Sequence, residues 1–61
     1  MTYYTAFQKT NEGTRVVREG YNRKEIFKAA QNRANQTGQV ITVRSMRGFK
    51  IEFHEVSPER I

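Results

Sequence analysis

Ile41-Thr42-Val43-Arg44-Ser45-Met46-Arg47-Gly48-Phe49-Lys50-Ile51-Glu52-Phe53 is the stretch whose reading decides the fold. Two runs with strand chemistry, alternating and rich in β-branched and aromatic residues, flank a short segment that ends in glycine. A three-residue loop, Met46-Arg47-Gly48, sets Ser45 opposite Phe49, Val43 opposite Ile51 and Ile41 opposite Phe53. All the large apolar side chains then share one face. A two-residue Arg47-Gly48 loop would set Arg44 opposite Ile51 and mix the faces, which a half-buried sheet disfavours. The segment therefore reads as a hairpin with a three-residue loop, its glycine supplying the left-handed residue such loops need.

Thr10-Asn11-Glu12-Gly13-Thr14 repeats the design nearer the start. The same spacing sets Phe7 opposite Val17 and Tyr3 opposite Tyr21 on one face, with Thr5–Glu19 and Lys9–Arg15 beside them. Tyr4, Ala6 and Gln8 fall on the other face, against Gly20, Arg18 and Val16.

Residues 22–36, between the hairpins, read as a helix signalled at both ends. Asn22 is a good N-cap, and Glu25 three residues on completes a capping box. Tyr21 and Ile26 occupy the positions of a hydrophobic staple, and Gly38 supplies the stop. Ile26, Phe27, Ala30 and Ala34 form one apolar stripe at helical spacing. Two of the four are alanines, so the helix axis can lie close to a sheet.

These assignments predict an α+β fold, ββαββ: a four-stranded, mostly antiparallel sheet with one helix packed on one face. Residues 1–56 form a single domain and 57–61 a frayed tail. The expected core is Phe7, Val17, Tyr21, Ile26, Phe27, Ala30, Ala34, Ile41, Val43, Ile51 and Phe53. Strand order stays open at this point.

Sixty-one residues can build one small core and no deep cleft. With no Cys, neither disulfides nor a thiolate metal site can staple it, so the core must suffice or be extended by dimerisation. One His and no Asp leave no metal-ligand spacing, and no cofactor is expected. No apolar run is long enough to span a membrane or to act as a signal peptide. The expected location is cytoplasmic.

Charge is the compositional outlier. Eleven Lys and Arg, seven of them Arg, stand against six Glu, for a net +5. Between Gly13 and Lys50 the balance is nine bases against Glu19 and Glu25. Such a field attracts polyanions, and Arg suits bidentate phosphate contact.

On these registers the uncovered sheet face presents Tyr4, Arg18, Arg44 and Lys50, with Arg47 at the hairpin tip. Tyr4 can stack on a base while the cations meet phosphates. Arg23, Lys24 and Lys28 make a secondary anion site at the helix start, where the macrodipole gives no structural reason for cations. The two sites point in opposite directions, so one ligand cannot use both without wrapping the protein. Lys50, Glu52 and His54 alternate on one strand, the ingredients of general acid–base chemistry. Alternation of this kind is commonplace in exposed sheets, and no cleft is implied to tune them, so the expectation is a non-enzymatic protein.

The leading expectation is a small basic protein that holds DNA or RNA mainly through phosphates, with weak sequence specificity. The alternative is a module that docks on a larger protein, as an accessory or inhibitor, through a sheet edge or the open face. Its size is one often met in phage and mobile-element proteins, and a homodimer is the mildest form of this alternative.

Overall fold

The structure, a computed structural model, describes residues 1–59. Two hairpins, β1 (Tyr3–Thr10) with β2 (Gly13–Gly20) and β3 (Ile41–Arg47) with β4 (Lys50–Val56), flank a single helix, α1 (Arg23–Thr37). The fold is ββαββ, and the strands form one antiparallel sheet in the order β2-β1-β3-β4. The first strand of each hairpin is thus central, and β2 and β4 are the edges.

The helix begins and ends where its local signals lie. The Asn22 side chain accepts a hydrogen bond from the Glu25 amide at 3.2 Å. Gly38 takes the left-handed conformation (φ 72°) and donates its N–H to the Ala34 carbonyl at 2.8 Å. Only the Asn22 half of the capping box forms among the described residues, because the Glu25 carboxylate pairs with Arg18 on β2. Tyr21, the expected staple residue, forms an edge-to-face pair with Tyr3, the two rings 5.0 Å apart.

The core lies between α1 and one sheet face: Ala6, Ile26, Ala30, Ala34, Ile41 and Val43 are almost wholly buried, with Val56 at the margin. Tyr4, Val17 and Phe27 pack around it. With Ala30 and Ala34 on its inner stripe, the helix comes close enough that the small Ala6, not Phe7, fits beneath it. The first hairpin is therefore turned over relative to expectation, and Phe7 points away from the helix. Its pairing from Tyr4–Gly20 to Ala6–Arg18 follows the expected register, but a β-bulge then shifts Phe7 onto Val16. The turn is Asn11-Glu12, closed by Thr10 opposite Gly13. The Thr10 hydroxyl donates to the Gly13 carbonyl and accepts from the Glu12 amide. The bulge at Val17 lets two consecutive residues face the helix: Val17 packs on the core and Arg18 reaches Glu25.

The second hairpin departs further. Its turn is the two-residue Gly48-Phe49, with Arg47 opposite Lys50. Gly48 has φ 60°, and no described non-glycine residue has a positive φ, which is the type II′ pattern whose twist suits a hairpin. Val43 consequently faces His54 rather than Ile51, and Ile41 faces Val56 rather than Phe53. The displacement is an odd number of residues, so β4 shows its opposite side to the helix. Ile51 and Phe53 are 51% and 61% exposed, and Tyr21 is exposed as well, so these three leave the expected core. Of the four strands, β4 has the least contact with the helix, and Val56 alone of its apolar residues is buried.

After β4 the chain returns to the helix. Gln31 donates to the Ser57 carbonyl and the Glu59 amide donates to Asn35, both at 2.8 Å. The rest of the expected frayed tail, Arg60 and Ile61, lies outside the described residues.

Candidate nucleic-acid interface

Beside the core, on the helix-covered side, the sheet continues as three cross-strand rows. Ala6, Val43 and His54 form the first, Tyr4, Ser45 and Glu52 the second, and Arg47 with Lys50 closes the hairpin as the third. Phe27 stands at the boundary between core and surface. Its ring lies edge-on to Tyr4 (6.3 Å) and to His54 (5.7 Å), and the Arg23 guanidinium sits 4.9 Å above it. The cation in the first helical turn therefore has a structural reason that the sequence did not reveal: it stacks on the aromatic ring one turn along.

Beyond Phe27 the surface opens into a cleft of about 320 Å³ lined by Thr2, Tyr4, Arg23, Ser45, Arg47, Lys50, Glu52 and His54. Three permanent cations from three elements (α1, β3 and β4) border it, against the one carboxylate of Glu52. That carboxylate lies 3.9 Å from the Lys50 ammonium, a solvent-exposed pair that stays weak and leaves the lysine free to meet another anion. Hydroxyl groups of Thr2, Tyr4 and Ser45 add hydrogen-bonding capacity. Cations, hydroxyls and one aromatic ring in an open cleft bind phosphate esters well. Among the described residues no group of three or more His, Asp or Glu side chains could hold a metal ion.

The expected site residues are sorted anew by the observed registers. Tyr4, Arg47 and Lys50 converge with Arg23, joining part of the expected sheet site to part of the expected helix site. The opposition between those two sites disappears because β1 and β4 are both turned over. Arg44 leaves the group: it faces the other side of the sheet, where its Nε is buried and has no hydrogen-bond partner among the described residues. Arg18 lies on the helix side but is taken up by Glu25 at the β2 edge. Lys24 and Lys28 are exposed on α1 and do not line the cleft. Lys50, Glu52 and His54 do share a face, but it is the helix side rather than the open one.

His54, read from the sequence only as a member of the Lys50–Glu52–His54 alternation, lines the cleft against Phe27. One residue enters that the sequence reading passed over. Phe49, with relative exposure of 107%, stands at the tip of the turn that Arg47 and Lys50 close. The signal for Phe49 was local: in a Gly-X type II′ turn, X projects from the hairpin end.

The opposite side of the sheet has another character. Val16, Met46, Ile51 and Phe53 lie there exposed beside a half-buried Phe7, with Tyr3 and Tyr21 at one end. Thr5 is buried among its neighbours on this side. No family model, no curated protein and no solved structure matches the chain.

Proposed function

We propose that this protein binds single-stranded nucleic acid non-enzymatically, with phosphates held in the Arg23–Arg47–Lys50 cleft and a base stacked on Phe49. The observation that carries this reading is the meeting of three cations from separate elements around one open, hydroxyl-rich cleft. A bare aromatic ring beside cations on a rigid hairpin is the combination by which single strands are held without sequence readout. Tyr4, inside the cleft, offers a phenol to sugar or phosphate. Arg18 and Arg44 are not part of the site, one because it is paired and the other because it faces away. Lys24 and Lys28 contribute only to the long-range field.

Fluorescence anisotropy of a labelled oligonucleotide, titrated at several salt concentrations, tests the proposal. Each phosphate contact on a single strand contributes about 0.7 to the slope of log K against log salt. Arg47→Ala with Lys50→Ala should therefore lower the slope by about 1.4. Phe49→Ala should weaken binding by about 1–3 kcal/mol and leave the slope unchanged. Arg44→Ala should leave both unchanged. Wild-type affinity and slope in the Arg47/Lys50 double variant would remove the cleft from consideration.

A further inference from the structure

We infer that the open face of the sheet is a two-fold interface with a second copy of this chain. Folded monomers of 7.2 kDa expose on average about 4100 Å², whereas this chain exposes 4928 Å², an excess of about 800 Å². That excess equals what one partner typically buries in a standard protein interface. The shortfall in burial has a visible source. The large apolar side chains missing from the core, Phe7, Val16, Met46, Ile51 and Phe53, lie together on the side away from the helix.

Relief on this face points to a second copy rather than to an unrelated partner. One half, over β1 and β2, holds a depression of about 280 Å³ lined by Thr5, Phe7, Thr14, Val16 and Arg44. The other half, over β3 and β4, bears the exposed Met46, Ile51 and Phe53. A two-fold axis lying between the two faces, along the strands, sets the bulky half of each copy over the hollow half of the other, twice. Two sheets stacked in this way lie about 10 Å apart, the usual spacing of a β-sandwich.

Charge agrees. The chain carries +5, yet the ladder registers put Lys9 and Arg44 on this face against Glu19 and Glu55, for a net of zero. Two copies of a strongly basic chain can thus meet here without a net like charge on the contacting face. Arg44, whose buried Nε has no hydrogen-bond partner among the described residues, lies on this same face.

Sedimentation equilibrium across a wide concentration range is the deciding experiment. The expected result is a mass of twice 7.2 kDa at high concentration, with a thermal midpoint that rises with concentration. Phe53→Glu should halve the mass at the same concentration and keep the far-ultraviolet circular dichroism, while Asn32→Glu on the outer helix surface should remain dimeric. A wild-type chain that is monomeric throughout, with a concentration-independent midpoint, overturns the inference and leaves the face to a different protein. A dimer that survives Phe53→Glu overturns it too, in favour of edge-to-edge pairing. Should Phe53→Glu fail to fold, isotope-filtered NMR on mixed labelled and unlabelled wild type decides. Contacts between the Phe53 ring of one copy and the Val16 methyls of another support the interface, and their absence refutes it.

Discussion

The two faces of this sheet divide the usual tasks of a small protein in an uncommon way. Under the helix lie the small residues, Ala6, Ala30 and Ala34, with Ile26, Ile41 and Val43 between them. The larger apolar side chains, Phe7, Ile51 and Phe53 among them, are on the other side. Close helix–sheet approach is achieved with alanine, and it leaves no room for the aromatics. Cations follow the same division: Arg23, Arg47 and Lys50 border the helix-side cleft, while the open face is neutral overall. The difference teaches that the apolar side of a strand is not always the side that folds the monomer.

The contrast can be broken most sharply through stability. Ile41→Ala, beneath the helix, should destabilise the chain by about 2–5 kcal/mol in urea denaturation, enough to threaten folding altogether. Phe53→Ala, measured in dilute solution, should change it by no more than about 0.5 kcal/mol. Equal costs would abolish the distinction between the faces. Next in size comes overpacking: Ala30→Leu should cost about 1–3 kcal/mol by forcing the helix off the sheet. Thr14→Leu, in the open hollow, should be tolerated. Asn22→Ala tests how firmly the cover is latched and should cost about 1 kcal/mol, read as a lower thermal midpoint.

The smallest effect is a pH dependence confined to the open face. A hydrogen bond to the Glu19 carboxylate, reinforced by desolvation and by that carboxylate's charge, holds the Tyr3 phenol above its ordinary pKa of 10.0. A pKa raised in the folded state means that the folded chain keeps its proton where the unfolded chain has lost it. The contribution to stability is therefore complete below pH 10 and lost as pH rises through the folded value. Glu19→Gln should bring the Tyr3 transition back towards the ordinary value in an ultraviolet phenolate titration, and should flatten the alkaline loss of stability.

Elements encoded by neighbouring residues were legible in the sequence; relations between elements were legible only in part. Asn22, Glu25 and Gly38 marked the helix because capping acts within one turn. The ββαββ order followed from the strand chemistry and the glycines. Strand faces did not, because alternation marks the core side only where a sheet has a single apolar face, and this sheet has two. Gly48 fits either loop length, and the choice moves β4 by an odd number of residues, which exchanges every side chain between faces. The candidate site inherited that exchange. Tyr4, Arg47 and Lys50 line one cleft, whereas Arg44, grouped with them, faces away and Arg23, assigned elsewhere, joins them. No sequence rule signals the Val17 bulge, whose effect is to bring Val17 and Arg18 to the same side.

Cleft and open face look in opposite directions, and this has a consequence for valency. Two copies joined through their open faces would carry a cationic cleft on each outer layer, back to back. A duplex, stiff over about 150 base pairs, cannot bend round so small a body to reach both clefts. A flexible single strand can, and two separate strands can each take one. Such an assembly would act as a connector between strands, its grip on a looped strand set by the effective concentration of the second segment once the first is bound. Avidity would then depend on strand length, while the affinity of each cleft stayed the same.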